Sequence, residues 1–356
     1  MRQALLMFAV TLLLGGCGGG HDGVRATSTT GRADAHVRSQ RVLDDAIGAR
    51  DPGCSAAAGV EGKVVWTGVR GLADVSTHEA ITPDTVFDIA SVSKQFTAGA
   101  VLLLVAAGQL TLGDPVSRHA PELPAWANTV TLEQLMHQTS GIPDYVGLLE
   151  AQGAQVGDRT TEDQALRALA GVDQLEFPPG SRFEYSNSNY LLLGEIVHRA
   201  SGEPLAEFLS GHIFRPLGLN MVVDPTGPIP GKAVGYDKDG NAVASGWGQV
   251  GDGGIQTTPS ELVRWADNYR TGRVGGPALL RAQLAGAVPT EPGGGDRYGA
   301  GIYLLANGAL DHNGSWGGFV TAFRVSKDRA TSVAITCNTD KQDPEALAEA
   351  LAKLWM

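Results

Sequence analysis

The sequence predicts an α+β fold, with a sheet built from both chain ends, flanking helices, and an all-helical lobe inserted at about residues 85–225. Three observations carry this. Two strand-like runs, 54–60 and 63–69, stand near the start, and four more, 299–305, 310–316, 319–326 and 332–337, stand near the end. Between them the apolar residues recur mostly at helical spacing. Strands at the two ends with helices between them point to one sheet carrying an inserted lobe.

Each element has a local reason. Arg2 precedes an apolar segment at 4–14, which is too short to cross a bilayer and reads as an export signal. It ends in Leu14-Gly15-Gly16-Cys17, which resembles a bacterial lipoprotein box with Cys17 as the lipid-bearing residue; an ordinary secretion signal containing a cysteine is the alternative. Residues 1–16 are therefore expected to be a signal peptide. Residues 17–37, rich in Gly, Ser, Thr, Arg and Asp, are expected to be a flexible tether. A single domain over 38–356 follows. A short helix is predicted at 39–49, and Glu61-Gly62 joins the first two strands as a hairpin.

The helical lobe opens with 92–107, apolar at Phe96, Ala100, Leu103 and Leu104, and stopped by Gly108. Further helices are predicted at 132–138, 162–170, 189–201 and 204–213. Thr258-Pro259-Ser260-Glu261 reads as a helix start leading into 262–269. An amphipathic helix at 343–355 ends the sequence.

Composition removes several function classes. The chain has 356 residues, 43% hydrophobic and 18% charged, enough to bury a large core. Its net charge of -11 and the lack of any Lys/Arg run exclude a phosphate-backbone partner. The 8 histidines are scattered, and no Cys-x-x-Cys or His-Glu-x-x-His pattern occurs, so neither a metal nor a cofactor is expected. Cys54 and Cys337 are either a disulfide pair, if the chain is exported, or two buried thiols.

Three segments carry chemistry. In Ser91-Val92-Ser93-Lys94 a helix starting near Ser91 puts positions i and i+3 on one face, so the lysine amine reaches the serine oxygen. The lysine is a base only when neutral, so its reference pKa of about 10.4 must fall through burial or cationic neighbours. In Tyr185-Ser186-Asn187 a phenol can relay protons, and an amide can hold an acyl carbonyl or the lysine amine. In His312-Asn313-Gly314-Ser315, on a predicted strand, the glycine allows close approach to the backbone, and the Ser315 N–H can donate to an oxyanion. Each pattern is common by itself.

In this order, Ser-x-x-Lys, Tyr-x-Asn and His-x-Gly resemble the penicillin-recognising serine hydrolases of the class C β-lactamase group. That group also contains D-alanyl-D-alanine carboxypeptidases, D-aminopeptidases and family VIII esterases. The likeness covers residues 40–356. It includes Phe87-Asp88-Ile89-Ala90 before the serine, Asp114-Pro115-Val116-Ser117, His137-Gln138-Thr139-Ser140-Gly141-Ile142-Pro143 and Gly253-Gly254-Ile255. The resemblance implies a β-lactamase/transpeptidase-like fold with an antiparallel sheet. In such a sheet the first strand lies beside the last, which would make Cys54 and Cys337 neighbours and a disulfide.

The same resemblance implies the roles. Ser91 is the nucleophile, Lys94 and Tyr185 share the proton, Asn187 steadies the acyl side chain, and the N–H groups of Ser91 and Ser315 form the oxyanion hole. His312, with Asn313 and Gly314, would line the site and face the substrate's carboxylate or carbonyl; Tyr145 would face the cleft. β-Lactamases usually carry lysine where His312 stands, which favours peptidase or esterase chemistry. There is no Ser-Asp-Asn element with a partner glutamate, as class A would need. A Gly-x-Ser-x-Gly elbow is also absent, since Asn313 takes the first glycine's place in Asn313-Gly314-Ser315-Trp316-Gly317.

The expected function is an envelope serine hydrolase that cleaves an amide or ester through a Ser91 acyl-enzyme. It would be lipid-anchored at Cys17, on the periplasmic face of a membrane, and act on a small-molecule or peptide substrate. The alternatives are a true class C-like β-lactamase, or a catalytically silent lipoprotein that binds peptidoglycan or a partner.

Overall fold

The computed structural model describes residues 29–356. The expected signal peptide, Cys17 and the tether as far as residue 28 lie outside the described residues.

Eight strands form one antiparallel sheet: β1 (Cys54–Val60), β2 (Lys63–Arg70), β3 (Val288–Pro289), β4 (Arg297–Tyr298), β5 (Tyr303–Leu304), β6 (Leu310–Trp316), β7 (Phe319–Val325) and β8 (Thr331–Cys337). Their spatial order is β3-β4-β5-β6-β7-β8-β1-β2. The first strand is thus hydrogen-bonded to the last, with Cys54 opposite Cys337 and Val60 opposite Thr331.

Strand β1 is built from small residues because both its faces are covered. Ala57 points into the main core with Ile89, Val92 and Phe96. Ala56 and Ala58 point the other way, into a second core with Leu43, Ile335, Leu347 and Leu351. That alternation is the period of two of an extended chain.

Five helices matter to the argument: α1 (Thr29–Ala46), α2 (Lys94–Ala106), α3 (Asn187–Ser201), α4 (Pro259–Ala266) and α5 (Pro344–Trp355). The first and last close the second core, tied by a 2.8 Å bond from Trp355 Nε1 to Ser39 Oγ. Helices α2, α3 and α4 fill the main core through Phe96, Leu192, Ile196 and Trp265, joined by Leu135 and Leu169 of the short helices Leu132–Met136 and Glu162–Ala170.

Three expectations are corrected. Helix α1 begins at Thr29 rather than residue 39, so residues 29–37 are helical and not tether. Once the segment anchored by Leu43 and Ile47 is helical, each further residue adds a bond at little cost, and no proline interrupts it. The expected strand 299–305 shrinks to β5, because Gly299 N donates to Ile302 O (2.8 Å) and Gly301 N to Gly299 O (3.0 Å) in a tight turn. The helix expected at 204–213 runs as Leu205–Leu209 and then widens into a π-turn over Ser210–Phe214.

The sulfurs of Cys54 and Cys337 are bonded, with Cα atoms 4.0 Å apart and 283 positions between them in sequence. A link across so long a loop restricts the unfolded chain and typically adds about 2–4 kcal/mol. Peptide mapping of the full chain without reductant is therefore expected to recover the two cysteines cross-linked. The Cys54→Ser/Cys337→Ser variant should unfold at lower urea, with stability reduced by about 2–4 kcal/mol. An unchanged midpoint would show that the bond does not stabilise the sheet.

Candidate active site

Ser91 follows a short strand, Phe87–Asp88, that pairs with Ile255–Thr257. The buried Asp88 carboxylate accepts from Ala90 N (2.8 Å) and Gln256 Nε2 (2.7 Å), which fixes the chain just before the serine. Ala90 sits at φ 46°, a left-handed conformation uncommon for a residue with a side chain. A 3-10 turn over Ala90–Ser93 then runs into α2. It leaves Ser91 part-exposed while Ser93 and Lys94 are buried.

Lys94 is fully buried, and its amine donates to Ser91 Oγ (3.0 Å), Asn187 Oδ1 (2.8 Å) and the Asp252 carbonyl (2.7 Å). Those acceptors match the three N–H groups of an ammonium. Loss of hydration pushes its pKa down to about 8, although the Asp252 and Asp144 carboxylates pull it upward. The amine also lies 5.0 Å from the Tyr185 ring centroid and 5.8 Å from that of Tyr190.

Asn187 begins α3, and its amide is held from both ends. While its oxygen accepts from Lys94, its Nδ2 and its backbone N both donate to Asp144 Oδ2 at 2.9 Å. Asp144 also caps the helix Tyr145–Ala151 by accepting from Val146 N (2.9 Å). The amide therefore holds the lysine amine, the second of the two roles open to it.

The segment before Asn187 is set by Gln138, whose side-chain oxygen accepts from Ser186 N (3.1 Å) and from the Asn189 amide. Tyr185 is half-buried, with its hydroxyl shut away from solvent and making no hydrogen bond among the described residues. Loss of hydration around that hydroxyl drives its pKa far up, so it is a neutral phenol.

Strand β6 presses directly on the nucleophile's loop. A Cβ on Gly314 would lie 2.6 Å from the Ile89 carbonyl oxygen and 2.9 Å from Ser91 N, so only glycine fits. The close approach expected of this glycine is thus made by the Ile89–Ser91 backbone. Beyond Leu310 and Asp311, β6 has no partner on its β5 side among the described residues, which leaves an open edge from His312 to Trp316. Ser315 and Trp316 lie on that edge and line the cleft beside Ser91.

Two expected contacts are corrected. His312 does not line the cleft: it is 0% exposed, packed among the rings of Tyr185, Tyr298 and Tyr303. Its Nδ1 is 2.6 Å from the Asn313 carbonyl and its Nε2 3.3 Å from the Tyr298 hydroxyl, and burial pushes its pKa down to about 3. Asn313 points to the opposite face, where its amide donates to Glu345 of α5. Alternation along a strand separates neighbours in this way, and sequence alone does not say which face meets the cleft.

Tyr145 does line the cleft, and its hydroxyl donates to Asp252 Oδ2 (3.0 Å). Sequence reasoning missed Asp144, Asp252, Trp247 and Gln249. The nearest signals were the flagged neighbours Tyr145 and Gly253. Asp252, Trp247, Gln249 and Trp316 form much of the cleft wall. Burial raises the Asp252 carboxyl to about 6, opposed mainly by Lys94.

A sheet closed by both chain ends, with a serine and a buried lysine at the mouth of an inserted helical region, defines a β-lactamase/transpeptidase-like serine hydrolase fold. The chain belongs to the Beta-lactamase family, whose model matches residues 40–354. It is similar to a D-aminopeptidase of Brucella anthropi, 29% identical over 285 residues (78% of this chain, 54% of that protein). It is also similar to protein flp of Staphylococcus aureus strain MW2, 34% identical over 196 residues (53% of this chain, 39% of that one). The chain thus spans about half or less of these curated relatives. Among solved structures, the octameric penicillin-binding protein homologue from Pyrococcus abyssi superposes with a TM-score of 0.76 at 28% identity, covering 92% of this chain and 77% of that one.

The burial of His312 is testable by NMR. Its imidazole resonances, assigned by comparison with His312→Asn, should stay flat from pH 8 to pH 5, because a pKa near 3 keeps the ring neutral throughout. A midpoint near the ordinary value of about 6.5 would place the ring in water instead.

Proposed function

We propose that this chain hydrolyses an amide or ester through an acyl-enzyme on Ser91, with Lys94 as base. The observation that carries the reading is the 3.0 Å contact between Lys94 Nζ and Ser91 Oγ at a lysine whose pKa falls to about 8. At pH 7 about a tenth of such an amine is neutral, against well under a thousandth for an ordinary lysine. The Tyr185 phenol is pushed the other way, so it serves as a neutral relay and not as the resting base.

In the proposed sequence, neutral Lys94 takes the Ser91 proton as Oγ bonds to the carbonyl carbon. The N–H groups of Ser91 and Ser315 receive the oxyanion; the open edge of β6 beside Ser315 supports this. As the tetrahedral adduct collapses, the bond to the leaving amine or alcohol breaks and that group takes the proton through Lys94 and Tyr185. Water then attacks the acyl-enzyme, giving up a proton by the same path, and the released acid leaves Ser91 restored.

Amide or peptide hydrolysis is favoured over β-lactam hydrolysis on two grounds. One relative is a D-aminopeptidase. The residue standing where β-lactamases usually carry lysine is a buried neutral histidine, which offers a carboxylate no charge partner. The silent-binder alternative has less support, because Ser91, Lys94 and Tyr185 are all present. We also propose that residues 1–16 are a signal peptide, that Cys17 bears lipid, and that the chain works at the bacterial envelope. The Cys54–Cys337 bond supports an oxidising compartment.

A fluorophosphonate or fluorescent penicillin should add one probe mass to the full chain, and Ser91→Ala should remove the adduct. Across p-nitrophenyl esters, nitrocefin and D-Ala-D-Ala peptides, Lys94→Ala and Tyr185→Phe should each lower kcat about 10²–10⁴-fold. For the wild type, kcat/KM should rise with pH as Lys94 loses its proton, and level off above about pH 8. An adduct that survives in Ser91→Ala would move the nucleophile elsewhere.

A further inference from the structure

The start of α2 pins the segment that lies behind Lys94. Ser93 Oγ accepts from Ile255 N (3.3 Å), Lys94 Nζ donates to the Asp252 carbonyl (2.7 Å), and Thr97 Oγ1 donates to the Gly251 carbonyl (2.7 Å). Positions 94 and 97 share one face of the helix, so their bonds fall on neighbouring carbonyls. A threonine inside a helix commonly turns its hydroxyl back to a carbonyl of the preceding turn. Thr97 is only 1% exposed and reaches instead to a residue 154 positions away.

The backbone it holds has little other support. Gly251 sits at φ 102°, and a Cβ there would lie 2.4 Å from the Tyr190 carbonyl oxygen of α3, so no side chain anchors it. Its carbonyl accepts no other hydrogen bond among the described residues. Only the two backbone dihedrals of Asp252 separate this peptide plane from the next, whose carbonyl receives Lys94. Fixing the first plane therefore narrows the direction of the second.

That direction matters to the base. A neutral lysine amine keeps two N–H groups and one lone pair. Asn187 Oδ1 (2.8 Å) and the Asp252 carbonyl occupy the two hydrogens, which leaves the lone pair for Ser91 Oγ (3.0 Å). With the Asp252 carbonyl turned aside, a hydrogen is freed and can face the serine in place of the lone pair.

We propose that Thr97 is a positioning residue for the reaction: by holding the Gly251 carbonyl it aims the Asp252 carbonyl, which aims the lone pair of Lys94 at Ser91. The inference rests on the reading of Lys94 as base and adds the residue that orients it.

Thr97→Val removes the hydroxyl at nearly constant size, and Thr97→Ser keeps it. On the full chain, Thr97→Val should lower kcat/KM for p-nitrophenyl acetate about 10–100-fold, and Thr97→Ser should recover most of the loss. The pH profile separates aim from damage. In Thr97→Val the ammonium loses an acceptor, so its pKa should fall further below about 8 and the rising limb should move to lower pH. A site that was merely loosened would readmit water, and the limb would move up. The groups around the amine are the Asp144 and Asp252 carboxylates and the neutral rings of Tyr185, Tyr190 and His312. Thr97→Val alters none of their charges, and Asp252 titrates at about 6, below this limb.

Unchanged kcat/KM in Thr97→Val, a limb that stays or moves up, or no recovery in Thr97→Ser would overturn the proposal. Should Thr97→Val fail to fold, Thr97→Ala replaces it in each comparison. If the wild type leaves the ester untouched, the hydrolytic reading fails separately. The Lys94 midpoint then decides, read by NMR of chain labelled at lysine Cε and assigned with Lys94→Arg. A lower midpoint without the Thr97 hydroxyl keeps its hold on the amine; an equal or higher one removes it.

Discussion

The site is organised by one constraint, the burial of the Lys94 amine. An ammonium taken out of water is strongly disfavoured unless its hydrogens are accepted and its charge is answered. Three parts of the chain meet that need: the serine turn through Ser91 Oγ, the start of α3 through Asn187 Oδ1, and the segment before Ile255 through the Asp252 carbonyl. Asp144 and Asp252 hold the charge up while dehydration brings it down, and the balance falls near 8. Asp144 acts twice, since it also fixes which end of the Asn187 amide faces the lysine. The same loss of hydration raises the Asp252 carboxyl, and the Lys94 amine opposes that rise.

This convergence depends on the chain's two ends meeting. Ser91 comes from the first third of the sequence, and the strand pressed against its loop, β6, comes from the last fifth. What holds them in register is the sheet path β6-β7-β8-β1, closed by the Cys54–Cys337 bond. Asn338, one residue beyond that bond, braces the junction. Its amide accepts from Gly53 N (2.8 Å) and donates to the Leu72, Ala73 and Val234 carbonyls. Gly314 then converts a well-fixed sheet into a well-fixed nucleophile, because no side chain separates β6 from Ser91.

Much of this was legible where information is local. The i and i+3 spacing of Ser91 and Lys94, the helix at Glu162–Ala170 and the strand at Leu310–Trp316 each follow from a few neighbouring residues. Asp144 and Asp252 escaped notice because their importance comes from partners far away in sequence, Asn187 and Tyr145. His312 and Asn313 were identified as a pair but given the wrong surroundings. Which face of β6 lies under the helical region is decided by the packing of Tyr185, Tyr298 and Tyr303, and no run of residues around 312 encodes it. The start of α1 was misread because composition describes a tether well but says little about how far a nucleated helix extends.

The wall behind Lys94 explains why a neutral histidine suits this site. Tyr190, Tyr298 and His312 are buried there and Tyr185 half-buried; each phenol is driven up and the imidazole down, so all of them are uncharged. A wall of neutral rings supplies the dehydration that depresses Lys94, yet its ring electrons still face the amine. A second cation at position 312 would also depress Lys94, since like charges oppose, but it would carry its field toward the cleft and draw anions there. With histidine the depression comes from burial instead.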